Sequence, residues 1–163
     1  MTTPELDPWR AMLRHAVATL AYRGGAVLRE APGAFGDLRI GAGTRTPREI
    51  LSHIGDLLEW IVSLAQGPGR WPDTVVGSWE QELTRFQGGL RRLDDFLASP
   101  EPLAAPPERL FQGPLADALT HVGQLGLLRR LAQAPVRGEN YFVADIQAGR
   151  VGPDQAAPRR TFD

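Results

Sequence analysis

Apolar residues recur at helical spacing in four separate stretches of this chain, each fenced by Pro or Gly, and that pattern confines it to a helical fold. The second stretch is the clearest. Thr46-Pro47-Arg48-Glu49 reads as a capping box with Pro in the first turn, and Ile50, Ile54, Leu57, Ile61 and Leu64 share one face up to Gly67-Pro68-Gly69. The third opens at Ser78, with Gln81 three residues on, and carries Trp79, Leu83, Phe86, Leu90, Leu93 and Leu97 before Pro100. The first begins at Asp7-Pro8, with Asp7 as the expected N-cap, and places Trp9, Leu13, Ala16, Leu20 and Val27 on one stripe. Within it Gly24-Gly25 either admit a closely packed neighbour or end the helix early. The fourth is expected to start after Gly113-Pro114 and to run to about Gln133, before Pro135.

No β-type alternation competes with these stretches, so the expected fold class is all-α, a four-helix bundle. A short extra helix is expected around Glu139 to Ala148. The reading is of one domain, residues 1–151, followed by a polar, Pro-containing tail, residues 152–163, expected to be mobile. The connections after the second and third helices are longer than a tight hairpin needs, so at least one of them can cross the bundle. What Glu139–Asp145 and the tail do is not legible beyond packing over one end.

Composition removes several chemistries. All eighteen basic residues are Arg, so a lysine Schiff base has no candidate, and with no Cys there is no thiolate ligand, disulfide or cysteine nucleophile. Any thiol would have to come from a small molecule. A net charge of −1 gives no reason to expect a nucleic-acid partner. The N-terminus MTTPELDPWR lacks a basic region followed by an apolar run, and no long apolar run exists elsewhere, so the expectation is a cytoplasmic chain without a membrane partner.

The fourth stretch carries the chemistry. Its polar residues are Asp117, Thr120, His121 and Gln124, which at helical pitch share an arc of roughly 100°, the rest being apolar or small. Such a helix belongs in the middle of a bundle, where its polar groups need partners. Asp117 and His121 lie one turn apart and point to one place. They suit a metal ion, though spacing alone points first to a plain Asp–His hydrogen bond. On the second helix His53 lies at the edge of a polar stripe, Glu49, Ser52, Asp56, Glu59 and Ser63, turned toward the apolar seam. Asp56 is read as solvent-facing and outside any site. His15 reads as a surface histidine on the flank of the first helix, and Arg129 and Arg130 as ordinary partners of a helix C-terminus.

Two segments resemble a known family. Asp117-Ala-Leu-Thr-His-Val-Gly-Gln-Leu-Gly-Leu-Leu-Arg-Arg130 is similar to the DinB-like superfamily pattern of a histidine followed by Gly-Gln and a Leu/Arg-rich turn. Leu51-Ser-His-Ile-Gly-Asp-Leu-Leu-Glu-Trp60 resembles the second helix of that family, with its single metal-binding histidine. The resemblance reaches from about Trp9 to Leu131. It implies an up-down-down-up course and a divalent metal held by three side chains, usually three histidines. His53 and His121 match two of those positions, and Asp117 stands at the third, where a carboxylate keeps the spacing and is an acceptable ligand. Zinc or nickel would suit the donors, with Gln124 orienting a ligand or a metal-bound water. By resemblance the chain would be a thiol-dependent transferase, with an external low-molecular-weight thiol as cosubstrate, or a hydrolase acting on a small molecule, and would pair as a homodimer. The competing expectation is a non-catalytic helical bundle that acts through partner contacts, with a degenerate metal site.

Overall fold

The computed structural model describes residues 7–163, so the first six residues of the expected domain lie outside the described residues. The fold is all-α. Helix α1 spans Pro8–Leu28, α2 Pro47–Gln66 and α3 Trp79–Ala98. The fourth helical run is built from three pieces: α4, Pro107–Leu110; a π-helical turn, Phe111–Leu115; and α5, Ala116–Leu131. It therefore begins earlier than Gly113-Pro114. Pro114 has no N–H to give, and the widened turn around it lets the helix continue past that missing bond.

Both capping boxes form as the sequence indicates, Thr46 with Glu49 and Ser78 with Gln81. Asp7 occupies the N-cap of α1 without a side-chain bond, leaving Pro8 as the stronger start signal. Gly24 and Gly25 do not end α1. A Cβ at Gly24 would lie 2.7 Å from Phe86 Cζ, so the missing side chain is what lets α1 approach α3.

The buried stripe of α1 is Arg10, Leu13, Val17 and Leu20, and Trp9 is 63% exposed rather than on the seam. The cause is Arg10. Its guanidinium donates to the carbonyls of Phe96 (2.7 Å), Leu97 (3.1 Å) and Ser99 (2.9 Å) at the end of α3, which turns its neighbour Trp9 outward. Arg129 does the same for α1. It is buried and donates to the carbonyls of Val27 and Arg29, both at 3.0 Å, while its Nε also donates to the Ala134 carbonyl just past its own helix at 2.7 Å.

One core joins the four helical segments, with Leu13, Val17, Ile54, Leu90, Leu115 and Leu125 among its members. Contacts fix the register. Arg85 meets Ser52 and Gly55 while Gly89 meets Leu58, Arg14 meets Asp94 while Gly24 meets Phe86, and His53 meets Asp117 and His121.

No α-helix forms at residues 139–148. Gly138–Glu139 is a short strand, β1, paired antiparallel with β2, Thr161–Phe162, and Tyr141–Val143 make one 3-10 turn. The tail thus returns to the bundle instead of leaving it. A tertiary contact overrides the local tendency to helix: the buried Glu139 carboxylate accepts the Tyr22 hydroxyl proton at 2.7 and 2.9 Å, which holds Glu139 extended against α1. Burial, reinforced by that bond, pushes the Tyr22 hydroxyl well above its ordinary pKa. No helix among the described residues is long and apolar enough to cross a membrane.

Candidate metal centre

His53 and the pair Asp117/His121 come together from α2 and α5. His53 projects from the middle of α2, one residue before Ile54 of the core seam, so its ring lies at the boundary of the apolar interior with 21% of its side chain exposed. Asp117 and His121 stand one turn apart on α5 and meet it from the opposite side. Asp117 Oδ2 lies 3.6 Å from His53 Nε2, and Asp117 Oδ1 lies 3.4 Å from His121 Nε2. The imidazole rings face each other edge-on, centroids 4.7 Å apart. All three donor atoms fall within 4.8 Å of one another.

The two separations, 3.4 and 3.6 Å, are longer than the about 2.7–2.9 Å of a charge-assisted hydrogen bond, and each is made by a different oxygen of Asp117. The group could hold a metal ion, and the donor set of two imidazoles and one carboxylate fits it chemically. Asp117 remains 46% exposed, yet its carboxylate sits between the two rings instead of facing away from them.

Gln124 Oε1 lies 2.9 Å from His121 Nδ1, and the tautomer with its proton on Nδ1 makes this hydrogen bond and leaves the Nε2 lone pair toward Asp117. An outer hydrogen bond of this kind fixes ring orientation in metal centres generally. Gln124 is thus placed on the histidine. Thr120, the fourth polar residue of the arc, turns its hydroxyl back to the carbonyl of Ala116 at 3.0 Å and takes no part. His15 is exposed on α1, away from the centre.

Electrostatics favour the neutral, ligating form of His53. Burial depresses its pKa, the facing His121 and the cation Arg45 add to that, and Asp117 only partly opposes them.

Three features beyond the sequence reading shape the surroundings. Trp71, from the Pro/Gly-rich connection after α2, lies against both Trp60 (centroids 5.3 Å) and His53 (5.7 Å), forming a wall over the centre. Asp56 is not a solvent group. It pairs with Arg85 of α3, which also holds Glu59 at 2.7 Å and the Ser52 carbonyl at 3.0 Å, so the middle of the supposed solvent stripe of α2 is covered by a neighbouring helix. Burial works against the charge of Arg85, but its bonds to Glu59 and Asp56 outweigh it and raise the pKa. Third, Arg45 flanks the centre where two clefts meet. One, of about 440 Å³, is polar and includes His53, Asp56 and Thr74; the other, of about 390 Å³, includes Ile40, Ile50, His121 and Leu127.

Comparison with protein-family models, with curated proteins and with solved structures returns no match to this chain.

Proposed function

We propose that this chain is a DinB-like metal-binding protein in which His53, Asp117 and His121 hold one divalent transition ion, zinc or nickel. The observation that carries the reading is the convergence of three donors from two helices within 4.8 Å of one another, with His121 oriented by a hydrogen bond to Gln124. The register of contacts supports the up-down-down-up course that goes with it: α2 and α3 pair in the same direction (Gly55 with Arg85, Leu58 with Gly89), and α1 opposes α3 (Arg14 with Asp94, Gly24 with Phe86).

Three protein donors leave a position for solvent or a small molecule, as in catalytic zinc sites. A divalent ion there supplies Lewis acidity, lowering the pKa of a bound water or cosubstrate thiol. The protein's own part is to hold His121 through Gln124, to keep His53 neutral by burial, and to shield one side of His53 with Trp71. A metal-dependent transferase using a low-molecular-weight thiol, or a hydrolase, in the cytoplasm and as a homodimer, is the activity class this arrangement serves. The orientation of Asp117 toward both histidines weighs for this reading over a non-catalytic bundle with a degenerate site.

The test is metal analysis of tag-free protein after reconstitution, beside His53→Ala, His121→Ala and His15→Ala. Near one equivalent of a transition metal in the wild type and in His15→Ala, lost in the other two, is expected. Nickel binding should also quench the fluorescence of Trp71. Wild-type protein that takes up no metal from zinc or nickel solution would sink the proposal.

A further inference from the structure

Two clefts meet at the centre, and Thr44 and Arg45 belong to both. Arg45 stands between the polar cleft on the His53 side and the apolar cleft on the His121 side. Neighbouring arginines are committed: Arg39 donates to the Thr44 carbonyl and to Glu49, and Arg48 pairs with Asp37 at 2.7 Å. Arg45 makes no hydrogen bond or ion pair with any of the described residues, and it is exposed. Its charge is nonetheless felt at His53.

The second cleft has the opposite character. Ile40 and Leu127 form its rim at 51% and 54% exposure, and Ile50 and Leu128 form its buried floor. Isolated exposed leucines need no explanation, but two large exposed apolar side chains lining one depression together with an unpaired guanidinium form an amphipathic surface. At about 390 Å³ the depression is in the range of small-molecule pockets.

We propose that the ligand of this centre is an amphipathic organic anion, its acidic group on Arg45 beside the metal donors and its apolar body between Ile40 and Leu127. The inference deepens the metal-centre reading, resting on it for the reaction though not for the binding. A guanidinium offers paired donors that match a carboxylate or phosphate, and it keeps its charge at any physiological pH. Water is displaced from the apolar rim by the ligand body, which strengthens the neighbouring ion pair by lowering the local dielectric. The ligand class thus follows from charge complementarity at one end and apolar area at the other.

The test uses metal-free, full-length protein and three probes of equal chain length: octanoate, octan-1-ol and octylammonium. Calorimetry measures affinity, and the imidazole NMR signals of His121 report location. Octanoate is expected to bind at least about tenfold more tightly than the other two, the size of one charge-assisted hydrogen bond. Arg45→Ala should remove that preference, and Arg45→Lys should restore part of it. Leu127→Ser, at an exposed position where folding is not at stake, should weaken all three probes. Equal binding of the probes, no binding of octanoate at millimolar concentration, or a preference that survives Arg45→Ala overturns the proposal. Zinc titration of the same preparations separates the two readings. Octanoate binding through Arg45 without metal uptake overturns the metal centre alone; metal uptake without octanoate binding overturns the anion site alone.

Discussion

At the scale of single residues, Gln124 has the most to say about the centre. It is exposed, and its one side-chain hydrogen bond is to His121, so its removal tests orientation. Gln124→Leu frees the His121 ring to rotate and to place its proton on either nitrogen. Loss of such an outer partner weakens metal binding about 10- to 100-fold in comparable centres. The expected outcome is a zinc affinity reduced by that factor in a competition titration, with the melting temperature of the metal-free protein unchanged. His53, Asp117, His121 and Gln124 were all legible in the sequence, because helical spacing puts the last three on one arc and leaves His53 at the edge of an apolar seam. Arg45 and Trp71 were not singled out. Both lie in connections, where no periodicity relates a residue to the side chains it will meet, and only the closed fold brings them to the histidines.

Helix packing depends on a few small residues and on two arginines that periodicity alone misplaces. Adjacent glycines in α3 should respond to the same substitution with opposite signs. A Cβ at Gly89 would lie 2.8 Å from Leu58 Cβ, where α2 and α3 cross, whereas one at Gly88 would meet only the mobile end of Arg92 at 3.2 Å. Gly88→Ala should therefore stabilise by up to ~1 kcal/mol through helix propensity. In Gly89→Ala the same gain is exceeded by overpacking, which costs about 1–3 kcal/mol. Urea unfolding of the two variants reads the sign directly. The arginines work across helices. Neither α1 nor α3 carries a basic residue in its last turn, and each takes one from elsewhere: Arg129 caps α1, and Arg10 caps α3 through three carbonyls. The apolar stripe of α1 could not reveal this, since a charged residue on a seam reads as a boundary until the carbonyls it serves are in place. Arg10→Met leaves buried carbonyls without donors and should lower stability by about 2–3 kcal/mol. Arg10→Lys should recover only part of that, because an ammonium lacks the planar fork that reaches Phe96, Leu97 and Ser99 together.

For the whole molecule, metal uptake, folding and pH are linked through the same histidines. Joining α2 to α5 through one ion makes binding free energy a part of folding free energy, since the unfolded chain has no such arrangement of donors. At a free metal concentration about 100-fold above the dissociation constant, the gain is about 2.7 kcal/mol. For a chain of this length, that raises the melting temperature by roughly 5–10 °C. The pH dependence of the metal-free protein has a definite sign. Burial and neighbouring positive charge depress the folded-state pKa of His53 below the unfolded value of about 6.5. Above that pH both states hold neutral imidazole and the contribution of His53 is fully present. As pH falls below it, the unfolded chain takes up the proton first, so stability is lost progressively until the folded pKa is passed. Metal binding also demands neutral imidazole, so the metal-induced rise in melting temperature should shrink over the same acidic range. Melting curves from neutral pH down to mild acid, with and without zinc, check both trends. In His53→Gln the apo protein should lose that part of its acid sensitivity, and added zinc should leave its melting temperature where it was. A zinc-induced rise of equal size in that variant would mean the ion binds elsewhere.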